Sequence, residues 1–231
     1  KLGAADRRQL ALAAYQREPN DAAPVGVALL PSTWTRFVGR AAGLDEIIGA
    51  VHDDRLVTLV GPGGIGKTRL AIASAERLAS SYSWGGVFVD LVPVTAEHLL
   101  EALSAALGVA EQSNEPLLTT IVQHVRGRRL LLVLDNCEHL LGAAAAFVEA
   151  ILTGSSDVVV VATSRERLGV NGEHVVSVPP LTVRVCDSLT CELFGGQKLL
   201  AELPAKLGKN VRVVRAPCMG GCHNAPVTAI G

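Results

Sequence analysis

The sequence predicts an α/β fold with a five-stranded parallel sheet, because apolar strands alternate with amphipathic helical patterns and a glycine-rich loop joins the first strand to a helix. The predicted strands are Leu56–Val60, Val87–Leu91, Leu130–Asp135, Val158–Thr163 and His174–Val178. Several are continuously apolar, as parallel strands buried on both faces are. Repeated β-α units of this kind require a parallel sheet with right-handed crossovers.

Helical patterns fill the intervals between these strands. Each pattern carries one stripe of apolar side chains, the spacing of a helix that packs on a sheet. One follows the glycine-rich loop, and three others end at Gly108, Gly127 and Gly154. We interpret these glycines as helix C-caps, because glycine adopts the left-handed conformation that often ends a helix.

Composition limits the classes of function. The 231 residues are 49% apolar, enough for a sizeable core, and carry a net charge of −1 with 3% aromatic residues. We therefore expect no nucleic acid contacted by this chain itself. The apolar runs are strand-sized and Lys1–Glu18 has no apolar signal-peptide core, so we expect no membrane contact and a cytoplasmic location.

The strongest motif is the segment Gly61–Thr68, a complete G-x-x-x-x-G-K-S/T phosphate-binding loop between an apolar strand and a helical pattern. Its glycines allow backbone N–H groups to surround phosphate oxygens, and the helix N-terminus adds partial positive charge. Lys67 is expected to bridge the β- and γ-phosphates, and the Thr68 hydroxyl to ligate Mg²⁺. The residues expected to contact ATP or ADP are Gly61, Gly63, Gly64, Gly66, Lys67 and Thr68.

The strand Leu130–Asp135 has the form of a Walker B element, an apolar strand that ends in a carboxylate. Asp135 is expected to hold Mg²⁺ beside the phosphate loop, although an Asp at a strand end can also be a turn residue. The next residue is Asn136, which cannot accept a proton from water. Glu138 either replaces it as the base or lies in the first turn of the next helix. We expect slow ATP hydrolysis at most.

Arg165 follows the buried strand Val158–Thr163 and should lie at the same edge of the sheet. A fixed guanidinium there senses the γ-phosphate; the alternative is a solvated loop arginine. Lys67, Asp135 and Arg165 are thus the candidate catalytic residues. Cys137 is expected to be a buried packing residue.

Four segments together resemble the nucleotide-binding module of STAND-type signal-transduction ATPases, in particular that of large bacterial transcriptional regulators. The segments are Phe37–Arg40, Gly61–Thr68, Leu132–Leu140 and Ala162–Gly169. The resemblance implies a P-loop NTPase sheet over residues 32–180. For residues 1–31, the residue pattern itself predicts a helix from Asp6 to Gln16 followed by a Pro/Gly/Ala linker that ends at Pro31. The resemblance places Val38, Gly39 and Arg40 near the adenine and ribose, and implies a regulatory switch held by ADP and turned over by ATP.

Residues 181–231 carry two cysteine pairs, a C-x₄-C at Cys186 and Cys191 and a C-x₃-C at Cys218 and Cys222. Each pair follows a predicted strand, and a helical pattern lies between them. Because neighbouring strand ends in a parallel β-α-β unit lie side by side, the four thiols are expected to converge on a 2Fe-2S cluster. Zinc and unligated thiols are the alternatives.

This segment also resembles the thioredoxin-like 2Fe-2S domain of the small NADH dehydrogenase subunit and of NAD-linked formate dehydrogenases. The matching residues are Val185–Cys191 and Ala216–Val227. The resemblance implies a truncated thioredoxin-like β-α-β segment that passes electrons to a flavin-bearing dehydrogenase subunit.

The two halves belong to functions that rarely share a chain. The sequence is compatible with a two-function protein, with a spliced or fragmentary reading frame, and with an inert remnant; we favour the second. The expected function is an ATP/ADP-binding regulatory switch joined to a partial iron–sulfur segment, and the alternative is an NADH or formate dehydrogenase-type electron-transfer subunit.

Overall fold

The computed structural model describes residues 30–31, 40–110, 115–208 and 210–230. These residues form a five-stranded sheet and a separate three-stranded sheet. The helix predicted within residues 1–31 lies outside the described residues.

The larger sheet is entirely parallel, with strand order β2-β3-β4-β1-β5. Its strands are β1 (Leu56–Val60), β2 (Gly86–Asp90), β3 (Leu130–Asp135), β4 (Val158–Ser164) and β5 (His174–Ser177). Each lies within one residue of its predicted bounds, so the predicted parallel sheet is confirmed. The apolar runs locate the strands well because every residue of β3 and nearly every residue of β1 and β4 is buried.

Helices cover both faces of this sheet. They are α1 (Ala41–Asp53), α2 (Lys67–Leu78), α3 (Leu99–Leu107), α4 (Leu117–Val125) and α5 (Leu141–Gly154). α1 and α2 pack on one face, and α3, α4 and α5 pack on the other. None of the helices within the described residues is both long and apolar enough to cross a membrane.

The central strand β3 serves both faces. Leu131 and Val133 point into the core under α1 and α2, while Leu130, Leu132 and Leu134 point into the core under α3, α4 and α5. This alternation is the period-two geometry of a strand. It explains why a continuous apolar run is needed here.

The three predicted glycine C-caps have different outcomes. Gly108 ends α3 in the left-handed conformation, with φ 68°, and Gly127 adopts φ 71° just after α4. The prediction is wrong for Gly154, which is the last helical residue of α5 and is followed by extended Ser155. A side chain on Gly154 would collide with Val122, so the glycine there permits close packing of α4 against α5.

The smaller sheet contains β6 (Leu181–Cys186), β7 (Val211–Ala216) and β8 (Thr228–Ile230), in the order β7-β6-β8. β6 and β7 are parallel and are connected through α6 (Leu189–Leu193) and α7 (Gly196–Leu207). This is the β-α-β connection that the sequence predicts. The short antiparallel strand β8 was not anticipated, because three exposed residues carry no burial pattern.

Replacing Phe147 by Ala tests the core under α5. Phe147 is 2% exposed in the larger apolar cluster, and its truncation should lower the free energy of unfolding by about 3–5 kcal/mol. Chemical denaturation followed by circular dichroism measures the change. The exposed neighbour Glu149 provides the control, since Glu149→Ala should change stability by no more than about 0.5 kcal/mol. Equal effects of the two substitutions would contradict this packing.

Candidate nucleotide-binding site

Parallel pairing brings the ends of β1, β3 and β4 to one edge of the sheet. Val60 at the end of β1 lies opposite Ser164 at the end of β4, and Leu134 of β3 lies opposite Ala162 of β4. Ligands of open α/β sheets bind outside this carboxyl edge. The residues that follow these three strands are therefore neighbours in space, as the sequence predicts.

The phosphate loop connects β1 to the N-terminus of α2. Gly64 and Gly66 adopt φ 75° and 93°, a left-handed conformation that glycine enters without strain. The Lys67 side chain folds back over the loop, and its Nζ donates hydrogen bonds to the carbonyl oxygens of Gly61 at 2.7 Å and Pro62 at 3.0 Å. Burial lowers the pKa of Lys67, and the nearby Glu138 carboxylate partly opposes that shift.

Thr68 and Asp135 meet directly. The Thr68 hydroxyl donates to the carboxylate of Asp135, with its Oγ1 at 2.9 Å from Oδ1 and 3.0 Å from Oδ2. A hydroxyl and a carboxylate are hard oxygen ligands of the kind that Mg²⁺ takes. These two residues therefore fit the Mg²⁺ role that the sequence predicts for them.

Thr163 belongs to the same cluster and was missed by sequence reasoning. Its hydroxyl donates to Asp135 Oδ1 and accepts a hydrogen bond from the backbone N–H of Asn136 at 2.9 Å. Burial raises the pKa of Asp135, while the hydrogen bonds from Thr163 and Thr68 act in the opposite direction. The one signal that could have identified Thr163 was its place at the end of a buried strand next to the Walker B strand.

Arg165 lies beside the phosphate loop, as predicted. A Cβ built on Gly63 would stand 3.6 Å from the nearest nitrogen of its guanidinium. Its Nε donates to Glu138 Oε1 at 3.2 Å. Arg165 is thus neither a free solvated arginine nor a buried one, since it is 65% exposed and paired with a carboxylate.

A tight turn after β3 carries Glu138. Asn136 adopts φ 66°, and Cys137–His139 then form a single 3₁₀ turn. Cys137 is fully buried, as expected, and burial raises the pKa of its thiol to about 12. His139 Nε2 donates to the carbonyl oxygen of Val94 at 3.1 Å. The turn is therefore anchored on both sides of Glu138.

Arg40 is the described member of the predicted adenine and ribose group, since Val38 and Gly39 lie outside the described residues. It adopts φ 69° before α1, and its Nη2 donates to the carbonyl oxygen of Pro179 at 2.8 Å. Its Nη1 is buried and has no hydrogen-bond partner among the residues that the structure describes. Burial lowers the pKa of Arg40.

The smaller sheet touches the phosphate loop. The side-chain amide of Asn210, just before β7, occupies the space that a Cβ on Gly64 would need. The sequence gives no indication of this contact, because the two residues belong to segments with no shared motif.

The predicted four-cysteine cluster is not formed. Cys186 at the end of β6 lies opposite Ala216 at the end of β7, so the two cysteine loops do begin side by side. Within the described ranges, however, no group of three or more His, Cys, Asp or Glu side chains is placed to hold a metal ion. The 2Fe-2S prediction for Cys186, Cys191, Cys218 and Cys222 therefore has no support in the structure.

The two cysteine pairs differ in burial although they lie near one another, since Cys218 and, to a smaller extent, Cys191 and Cys186 raise the pKa of Cys222. Cys186 and Cys191 are 1% and 0% exposed, and the Cys186 thiol lies 3.1 Å from the Ser188 hydroxyl. Hydrogen bonds with Ser188 lower the pKa of Cys186 to about 7. Cys218 and Cys222 are exposed, with their sulfurs 3.9 Å apart. One pair is thus packed inside the segment and the other faces solvent.

Residues 51–166, half of the chain, match the family described as the AAA domain. The chain belongs to this family. The match spans the phosphate loop, Asp135, Thr163 and Arg165, which are the residues that the structure gathers at one edge. The AAA domain assignment implies binding of nucleotide and Mg²⁺. It ends before residue 181 and gives the cysteine segment no family.

Known relatives of this AAA domain chain include bacterial regulators. The chain is 39% identical over 150 residues to the uncharacterized protein Rv0894 of Mycobacterium tuberculosis, covering 64% of this chain and 38% of that protein. It is 44% identical over 131 residues to Rv0890c of the same organism, which is named as an HTH-type transcriptional regulator, covering 56% of this chain and 15% of that protein. The regulatory protein AfsR of Streptomyces coelicolor is 29% identical over 200 residues, covering 78% of this chain and 20% of that protein. The chain thus spans a minor part of each relative.

Among solved structures, the chain is similar to a signal transduction ATPase with numerous domains (STAND) protein from Pyrococcus horikoshii that has a tetratricopeptide repeat sensor. The sequences are 18% identical, the TM-score is 0.45, and the similarity covers 68% of this chain and 25% of that one.

Replacing Thr163 by Val tests its support of Asp135. The substitution preserves shape but leaves the Asn136 N–H without its acceptor and removes one of the two hydroxyls that donate to Asp135 Oδ1. We expect a loss of about 1–3 kcal/mol in the free energy of unfolding and Mg²⁺-dependent nucleotide binding that is about 10–100-fold weaker. Denaturation and Mg²⁺ titrations with a fluorescent nucleotide measure both. Thr163→Ser retains the hydroxyl and should behave as the wild type; a loss as large as that of Thr163→Val would contradict the assignment.

Proposed function

We propose that the chain is the ATP- and ADP-binding regulatory module of a STAND-type ATPase. The observation that carries the proposal is the complete phosphate loop at the carboxyl edge of the sheet, with Thr68 in contact with Asp135 and the Arg165 guanidinium beside Gly63. The module acts as a switch whose state depends on whether a γ-phosphate is bound.

Lys67 provides the main cation for the phosphates. Its Nζ is hydrogen-bonded to two loop carbonyl oxygens, and it exchanges these for β- and γ-phosphate oxygens when nucleotide binds. The glycines of the loop and the N-terminus of α2 supply backbone N–H groups to the same phosphates.

Thr68 and Asp135 are the residues that would hold Mg²⁺. The ion neutralises phosphate charge when bound. The contribution of the protein is to hold the hydroxyl and the carboxylate together before the nucleotide arrives, with Thr163 fixing the orientation of the carboxylate.

Arg165 and Arg40 serve opposite ends of the nucleotide. The Arg165 guanidinium lies beside the loop, where it distinguishes a triphosphate from a diphosphate. Arg40 has one buried nitrogen that lacks a partner among the described residues, and we assign it to the adenine and ribose end together with Val38 and Gly39. The similarity to AfsR and to the regulator Rv0890c supports a regulatory rather than a metabolic role.

The iron–sulfur role and the flavin-bearing dehydrogenase partner are not included in this proposal. The described cysteines form no metal site, and the family match ends at residue 166. The alternative function, electron transfer as a dehydrogenase subunit, therefore has no specific observation in its favour.

Replacing Lys67 by Ala tests the proposed function. Removing the cation that faces the phosphates should cost about 2–4 kcal/mol of binding free energy, which corresponds to at least ~30-fold weaker binding of Mg-ATP and Mg-ADP. Isothermal titration calorimetry measures both affinities. Lys198→Ala, at an exposed lysine of α7, is the charge-matched control and should bind as the wild type does. Equal affinities in the wild type and Lys67→Ala would overturn the proposal.

A further inference from the structure

A cavity of 480 Å³ lies beside the phosphate loop on the side of Arg165. Its lining residues are Val92, Asn136, Glu138, His139, Arg165 and Glu166. The cavity is bordered by the turn after β3 and by the residues that follow β4. It is large enough for several water molecules, so the question is which side chain acts on a water there.

The two carboxylate oxygens of Glu138 have different surroundings. Oε1 accepts a hydrogen bond from Arg165 Nε, whereas Oε2 is buried and has no partner within the described part of the chain. The side chain is 15% exposed. A buried acceptor without a partner is costly, but a water molecule in the cavity does not reach Oε2 while it is buried. Oε1 is therefore the oxygen that can accept a hydrogen bond from a water molecule once Arg165 leaves it.

Glu138 lies within electrostatic range of Lys67 and Asp135. Its charge raises the pKa of Lys67 and also contributes to the raised pKa of Asp135, so the carboxylate lies close to both residues. Its partner Arg165 contacts the loop beside Gly63. Glu138 is thus surrounded by the groups that bind the γ-phosphate in the proposed function.

The other polar groups of the cavity are less suited to accept a proton. Asn136 carries an amide, which is not basic. His139 has both ring nitrogens engaged, since Nε2 donates to Val94 and Nδ1 lies 3.3 Å from the Asn136 amide nitrogen. Glu166 is exposed to solvent, whereas the Glu138 side chain is largely buried and is held by Arg165.

We propose that Glu138 is the catalytic base for ATP hydrolysis and that Arg165 controls its availability. This inference rests on the proposed function. Without ATP, Arg165 pairs with Glu138; the γ-phosphate then draws the guanidinium away and leaves the carboxylate to orient a water molecule. The water oxygen forms a bond to the γ-phosphorus, the bond from that phosphorus to the β–γ bridging oxygen breaks, and the proton of the water passes to Glu138 and then to the released phosphate.

The position of Glu138 also explains why hydrolysis should be slow. In most ATPases of this type the base directly follows the Walker B aspartate, but here the turn at Asn136 places the carboxylate three residues after Asp135. The carboxylate becomes available only after an ion pair has been exchanged. We expect a wild-type kcat below ~1 per second, at or under the low end of typical enzyme rates.

The substitution Glu138→Gln separates proton uptake by the side chain from its hydrogen bond with Arg165. Glutamine retains an oxygen that accepts a hydrogen bond from Arg165 but cannot take up a proton. We expect kcat to fall by at least ~100-fold, since general base catalysis contributes factors of about 10²–10⁴. The affinity for the non-hydrolysable analogue AMP-PNP should be unchanged or higher, because a negative charge near the γ-phosphate is removed. Phosphate release and calorimetry measure the two quantities.

Glu166→Gln is the matched control, because it removes the same charge from the same cavity and should retain the wild-type kcat. Lys67→Ala sets the background rate. Wild-type turnover by Glu138→Gln would overturn the proposal and leave Glu138 as an anchor for Arg165. A wild-type protein that binds AMP-PNP but releases phosphate no faster than Lys67→Ala would also overturn it. Failure of the wild type to bind nucleotide would instead remove the proposed function.

Discussion

The site depends first on the buried carboxylate of Asp135. This group lies at the end of the central strand β3, and it accepts hydrogen bonds from Thr68 at the start of α2 and from Thr163 in β4. A carboxylate at this depth is unfavourable unless it is hydrogen-bonded, so the three elements cannot separate without a large cost. The phosphate loop ends at Thr68, and its position relative to the sheet is therefore fixed by the same two hydroxyls.

The larger sheet was predictable because its strands are buried on both faces. β3 needs apolar side chains at every position, with Leu131 facing one layer of helices and Leu132 the other, and such a run is visible in the sequence. The phosphate loop was predictable because a single short motif contains its glycines, its lysine and its threonine. Gly154 shows the limit of this reasoning. A glycine at a helix end indicates a C-cap, but the close approach of Val122 depends on how two helices cross, which no local pattern contains.

One member of the site was beyond sequence reasoning for a similar reason. Thr163 is one of several polar or small residues near the end of β4, and only strand register places its hydroxyl between Asp135 and the Asn136 N–H. The cysteine segment shows a different error, because there a sequence pattern predicted a site that the described residues do not form. The parallel pairing of β6 and β7 agrees with the prediction, yet adjacency of strand ends does not decide where side chains point. Cys191 faces the interior while Cys222 faces solvent, so the spacing of the cysteines alone predicted a metal cage that the described residues do not form.

Three charged side chains of the candidate site are paired with other groups of the protein. Lys67 is bound to loop carbonyls, Thr68 to Asp135, and Arg165 to Glu138. Nucleotide binding is therefore an exchange of hydrogen bonds, and its net free energy is smaller than the sum of the new contacts. In the proposed function, ADP with Mg²⁺ replaces the contacts of Lys67 and Thr68, whereas separation of Arg165 from Glu138 requires a γ-phosphate. The ion pair joins an exposed Arg165 to a largely buried Glu138, so in the proposed function the contact of Arg165 with the γ-phosphate must offset the loss of this pair. The proposed difference between the two nucleotides is thus concentrated in one ion pair at the edge of the sheet.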